Sequence, residues 1–167
     1  MFGSVLGYVT LCSVLCRAIQ RHVGLCVKRI ERELWQKIRA RAIQGRRTGL
    51  GVTALGDALA ALGLRYGSDE SIDVTEKIYR TLATGSHTAS VNLAAQRGAF
   101  PIWDKELEAG HEYLQRILSH CGDECNETYQ QTGRRNIANT TTAPAGSVSC
   151  LTQTTSGIEP AFMLYYK

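Results

Sequence analysis

The sequence predicts an α/β fold made mostly of helix. Apolar residues recur at helical spacing along most of the chain, and glycines and prolines fall where those runs stop. Near the end a β-branched run, Thr140-Thr141-Thr142, breaks the pattern and reads as a strand. A second extended run, Phe162 to Tyr166, follows it.

The elements can be taken in order. Met1 to Cys16 is largely apolar, and Arg17 to Arg47 carries ten Lys/Arg against two Glu. The uncharged start falls short of the roughly 20 residues that span a bilayer, and no basic region precedes it as in a signal peptide. Val23, Val27, Ile30, Leu34 and Ile38 recur at helical spacing, which predicts a packed helix. A basic amphipathic helix lying on an anionic membrane or on nucleic acid is the alternative, and a segment foreign to the rest of the chain is a third.

From Gly51 to Leu64, Val52, Leu55, Leu59 and Leu62 share one helical face, and Gly63 ends the helix. Ser68 caps the next, with Asp69 and Glu70 in a first turn that favours negative charge. That helix is predicted to reach about Gln96, with Ile72, Ile78, Leu82 and Leu93 as core candidates, before Gly98 and Pro101 break it. Lys105 to His120 reads as one more helix, built on Leu107, Tyr113, Leu114, Ile117 and Leu118. Gly122 to Gly133 is polar and reads as a loop.

At 167 residues the chain can form one modest domain with a core. A hydrophobic content of 44% with 20% charged residues excludes wholesale disorder, and a net charge of +4 does not by itself argue for nucleic acid. Six cysteines without a repeating spacing fit reduced thiols in the cytoplasm better than a disulfide scaffold. Cys121 and Cys125 stand at a spacing that brings two thiols to one face of a helix, able to share a metal or to oxidise together. No second ligand pair follows at zinc-site spacing. Cys150 reads as a buried small residue and His87 as a structural or exposed one. Glu159, between a glycine and a proline, is either held near a site or fixes its own loop.

The densest chemistry lies in TTTAPAGSVSCLTQTTSGIEPAF, Thr140 to Phe162. A strand broken at Pro144 and Gly146, feeding a helix at Ser147 and Ser149, leaves backbone N–H groups aimed outward as an anion site. No lysine is present, so this is not a Walker-type loop. On residue types alone a Ser/Thr-rich turn that holds nothing is as good a reading.

APAGSVS followed by SGIEPAF resembles the paired signature late in the catalytic barrel of ribonucleotide reductases, above all the adenosylcobalamin-dependent (class II) enzymes, which commonly read APTGTIS and SGIEPxF. Arg46 to Glu70, RRTGLGVTALGDALAALGLRYGSDE, is similar to their RRxGLGVxGLADALxxLGxxYGSxE, with the glycine and alanine of GLADAL exchanged around Leu55. GAFPIWD (Gly98 to Asp104) and Arg134-Arg135-Asn136 fit the same family. The resemblance covers residues 46–167 and leaves 1–45 as an unmatched apolar and basic helical segment.

This resemblance implies a helix-rich late portion of a ten-stranded α/β barrel. It implies reduction of ribonucleoside di- or triphosphates with adenosylcobalamin as cofactor and a thiol reductant, the substrate phosphate resting on Pro144, Ala145, Gly146, Ser147, Val148 and Ser149. In the family a radical-bearing cysteine has Asn two residues before it and Glu two after, upstream of the Arg46 block. Here only Cys125 has a glutamate at that offset, Glu127, and Asp123 replaces the Asn. No catalytic or metal residue is therefore assigned, and the chain alone is expected to be inactive. An iron-dependent reductase of the same superfamily is the alternative within the enzyme class. A non-catalytic protein binding membrane or nucleic acid through its basic helix is the alternative outside it.

Overall fold

The computed structural model describes residues 32–163. Seven helices occupy them: α1 (Arg32–Gly45), α2 (Leu55–Ala61), α3 (Asp69–Arg97), α4 (Lys105–Glu108), α5 (Glu112–Leu118), α6 (Asp123–Thr132) and α7 (Gly146–Thr152). The chain divides into two compact units, Met1–Ala42 and Ile43–Lys167. In the first, α1 carries Leu34, Trp35 and Ile38 exposed among Lys37 and Arg39. Val23, Val27 and Ile30 of the expected helix lie outside the described residues. No helix among the described residues is long and apolar enough to cross a membrane.

The second unit is organised around α3. Ser68 caps it: the Ser71 amide donates to the Ser68 hydroxyl at 3.4 Å, and the Ser71 hydroxyl donates back to the Ser68 carbonyl at 2.7 Å. Glycine 98 ends it with its amide on the Ala94 carbonyl. The buried face is Ser71, His87, Ser90, Val91 and Ala94. This corrects the expected core, since Ile72 is exposed and Ile78, Leu82 and Leu93 are only half-buried. Helices α5 and α6 pack on α3, and Val91, Cys125 and Tyr129 form a core cluster with Leu118 and Cys121 against it.

Five expected elements differ. The helix predicted over Gly51 to Leu64 is confined to α2, which buries Leu55 and Leu59 but leaves Leu62 exposed. Lys105 to His120 forms two helices, because Gly110 takes a left-handed φ of 82° between them. The segment expected as a loop, Gly122 to Gly133, is mostly the helix α6; most of its polar residues face solvent while Cys125 and Tyr129, one turn apart, turn inward. Finally, no strand occurs among the described residues, so they do not bear out the α/β expectation. Thr140 makes a single parallel bridge to Leu50. Phe162 and Met163 are irregular and exposed, and the rest of that expected strand lies outside the described residues. An isolated parallel pair lacks the neighbouring strands and covering layers that make parallel sheet stable.

Candidate functional site

The two longest motifs, ninety residues apart in sequence, meet in space. Extended backbone from Thr48 to Leu50 runs beside Ala138 to Thr141: the Thr48 amide donates to the Ala138 carbonyl at 2.9 Å, Leu50 to Asn139 at 2.8 Å, and Thr141 back to Leu50 at 2.9 Å. Gly49 and Gly51 permit this approach. A Cβ on Gly49 would stand 2.7 Å from the Thr141 methyl, and one on Gly51 only 2.4 Å from the Thr141 carbonyl oxygen.

A second seam joins α2 to the loop after α7. The Ala54 amide donates to the Thr155 carbonyl and the Leu55 amide to the Gly157 carbonyl, while the Thr53 hydroxyl also reaches the Thr155 carbonyl at 3.0 Å. The Asp57 carboxylate accepts from the Thr155 amide at 2.7 Å, and the Tyr66 hydroxyl donates to the Ile158 carbonyl at 3.0 Å. Gly56 lies against the backbone of Glu159 and Pro160, where a Cβ would come within 2.8 Å of each. Asp57 thereby gains a role that its motif alone did not reveal.

Between these seams sits the turn. Pro144 is exposed and has no N–H to offer. The Ala145 amide donates to the Ser156 hydroxyl at 3.0 Å, and the Ala145 carbonyl accepts from the Ser149 amide at 2.7 Å. Ser149 is buried, and its hydroxyl donates to the Gly146 carbonyl at 2.8 Å. The amides of Gly146, Ser147 and Val148 open the first turn of α7, where a helix supplies no acceptors, and no side chain caps them. All three residues are exposed. Of the six turn residues, these three therefore present the open amides, and Ala145 and Ser149 hold the shape. Glu159 is exposed; its carboxylate folds back over Gly157, whose added Cβ would meet Glu159 Oε2 at 2.7 Å and the Ala143 carbonyl at 3.2 Å. Cys150, expected to be buried, is exposed.

Beneath the extended segment lies a buried polar network. The Arg134 guanidinium pairs with Glu108, donates to the Asn136 and Ile137 carbonyls at 2.9 and 2.8 Å, and lies 5.4 Å from the centre of the Phe100 ring. Glu108 also accepts from Trp103 Nε1 at 2.9 Å and from the Tyr129 hydroxyl at 2.8 Å. Burial pushes the Glu108 carboxyl up, but the hydrogen bonds from Arg134 and Tyr129 and the Arg134 charge outweigh it and leave it below its ordinary value. Burial, with the same carboxylate beside it, drives the Tyr129 hydroxyl upward. His87 is 1% exposed and its ring lies 5.6 Å from that of Tyr129. Burial first, then the Arg134 charge, lowers its pKa to about 4, so it is neutral near pH 7. The Ser90 hydroxyl gathers the segment onto α3 by accepting from the amides of Arg135 and Asn136, and Asn136 Nδ2 donates to the Arg46 carbonyl at 2.7 Å. Sequence reasoning missed Glu108 and Tyr129, which lie in no quoted motif, and did not single out Trp103 of GAFPIWD as a partner of Glu108.

The family described as "Ribonucleotide reductase, barrel domain" matches residues 12–167. The chain belongs to that ribonucleotide reductase family. The match begins upstream of Arg46, where the quoted motifs start. A vitamin B12-dependent ribonucleoside-diphosphate reductase of Mycobacterium tuberculosis (strain CDC 1551 / Oshkosh) is 34% identical over 72% of this chain and 15% of its own length. Another of that name, from Thermoplasma acidophilum, is 33% identical over 72% of this chain and 13% of its own. A ribonucleoside-diphosphate reductase subunit alpha of Helicobacter pylori (strain ATCC 700392 / 26695) is 28% identical over 76% and 18%. The chain thus spans less than a fifth of the length of these relatives.

Proposed function

We propose that this chain is part of an enzyme that reduces ribonucleotides to deoxyribonucleotides, and that it supplies the turn that grips the substrate phosphate. The observation that carries this reading is the set of open amides at Gly146, Ser147 and Val148, on a turn clamped by both family motifs. Amides bind phosphate oxygens whatever the side chain, so Ala145 in the place of the family's threonine removes at most one hydroxyl contact. Pro144, Ala145 and Ser149 keep the turn in shape.

The cobalamin-dependent form is favoured over the iron-dependent one, because relatives named as vitamin B12-dependent match at 33–34% identity and the Helicobacter pylori subunit alpha at 28%. The described residues do not themselves fit that cofactor. The cleft between α3, α5 and the segment Arg134 to Thr140 has a volume of about 240 Å³, below the roughly 300–1,000 Å³ of clefts that enclose drug-sized ligands. A corrin would be held by other parts of the enzyme, as would the radical cysteine, since Cys125 is buried in the helical core of α6.

Titration of the full chain with a ribonucleoside diphosphate tests the turn. Binding should be competed by inorganic pyrophosphate. Ser147→Pro removes one amide in a helix's first turn, where proline is tolerated, and should weaken binding about tenfold, the loss of one hydrogen bond of roughly 1.5 kcal/mol to a charged group. Binding unaffected by the substitution would move the phosphate elsewhere. Incubation with adenosylcobalamin and dithiothreitol should yield no deoxyribonucleotide; turnover lost on Cys125→Ser would make the chain a minimal enzyme.

A further inference from the structure

The cysteines at the corner between α5 and α6 are not used by the proposed phosphate turn. We propose that Cys121 and Cys125 form a modification site, closing to an intramolecular disulfide when the protein meets a hydroperoxide. Cys121 lies just beyond α5, and Cys125 lies in the first turn of α6, with only the cap residue Gly122 and two acidic residues between them. Cys121 packs against the core cluster to which Cys125 belongs. Both are free, Cys121 half-buried and Cys125 buried beside Val91 and Tyr129. The Thr88 hydroxyl, on α3, faces the Cys121 sulfur at 4.0 Å. One thiol is therefore open to a small oxidant, and its partner is held behind it out of reach of competing thiols.

The chemistry balances in two steps. The Cys121 thiolate attacks a peroxide oxygen; the O–O bond breaks, Cys121 becomes a sulfenic acid, and one water (or alcohol) leaves. The Cys125 thiolate then attacks the Cys121 sulfur, the S–S bond forms, the S–O bond breaks, and a second water leaves. Two thiols lose two electrons, and the hydroperoxide gains them. Burial, and then the neighbouring Cys125, push the Cys121 thiol up, so the reaction is a slow one that needs sustained peroxide.

The full chain is treated with hydrogen peroxide, its remaining thiols are blocked with N-ethylmaleimide, and it is cut with trypsin. Cleavage after Arg116 and Arg134 places Cys121 and Cys125 alone on one peptide, Ile117 to Arg134. The expected product is that peptide lighter by two hydrogens and free of maleimide, formed while most of the exposed Cys150 is still blockable. With Cys125→Ala, Cys121 should instead accumulate as a sulfenic acid that dimedone traps. In urea the preference over Cys150 should vanish. The proposal is overturned if the native peptide stays doubly blocked while Cys150 oxidises, if Cys121 goes to sulfinic acid or to another peptide in the wild-type chain, or if urea leaves the preference unchanged.

Discussion

Ala54 sits at the start of α2 with φ 64° and ψ 27°, a left-handed conformation that costs a residue with a Cβ roughly 1–2 kcal/mol. The family pattern has glycine here and alanine two residues later; this chain has Ala54 and then Gly56, which is pressed against the backbone of Glu159 and Pro160. Ala54→Gly should therefore stabilise the chain by about 0.5–1 kcal/mol once the greater freedom of the unfolded chain is subtracted. Gly56→Ala should destabilise it, as backbone at 2.8 Å cannot yield as a side chain would. Urea unfolding of the two variants reads both signs, and a loss in Ala54→Gly would refute the strain. The exchange of the two residues was legible in the sequence. Its consequence was not, because the sign depends on φ at one position and on a contact a hundred residues away at the other. His87 offers a second test. Its folded pKa of about 4 lies below the unfolded value near 6.5, with Arg134, Glu108 and Tyr129 around it. Above pH 6.5 the imidazole is neutral in both states and its contribution is complete. As pH falls from 6.5 to 4 the unfolded chain takes up a proton that the folded one refuses, and up to about 3 kcal/mol is lost. Melting temperature should drop across that window, and His87→Gln should flatten the drop whatever its cost at neutral pH.

At the scale of elements, the short helix α4 matters through one residue. Asp104 caps it, accepting from the Glu106 and Leu107 amides at 2.8 and 3.3 Å, and so presents Glu108 to Arg134, Trp103 and Tyr129. Arg134 in turn holds the carbonyls of Asn136 and Ile137, at the root of the segment that leads to the turn at Gly146 to Val148. Glu108→Gln leaves the guanidinium buried without a counter-charge. It should cost about 3 kcal/mol, the usual scale for breaking a buried pair from one side. The tryptophan emission of Trp103, whose Nε1 loses its carboxylate, should shift at the same time. Unchanged stability would mean that water replaces the carboxylate at Arg134. Glu108 is held below its ordinary pKa, so its contribution is present above that value and is lost as pH falls through the lower folded one. That loss lies below the main part of the His87 window, and the two can be separated by variant. The GAFPIWD and Arg-Arg-Asn motifs pointed to this region, yet Glu108 and Tyr129 stand outside both, and nothing in their spacing announces a shared carboxylate.

For the whole molecule, motifs that are distant in sequence became one object through backbone pairing and close packing. The Arg46 block and the Thr140 block share amide bonds, the Gly98 block joins Arg134 where the Phe100 amide donates to the Arg134 carbonyl at 3.1 Å, and α3 runs behind them. The sequence by itself determined the family, the course of α3 from its Ser68 cap to the glycine at its end, and the turn from Pro144 into α7. Each of these is a local matter of cap, breaker or contiguous motif, where neighbours along the chain supply the energetics. Only the tertiary structure decided that polar residues after Gly122 coil into α6, that His87 is buried while Ile72 is not, and which amides of the turn stay open. A polar segment becomes helical when its few apolar residues, here Cys125 and Tyr129, find a core to enter. A histidine stays neutral and buried when a ring and a guanidinium from elsewhere surround it, and an amide is open only if no distant hydroxyl, such as that of Ser156 for Ala145, has already taken it. Those conditions are set by partners in other elements for the buried rings and by loop closure for the amides, and periodicity along the chain carries no record of either.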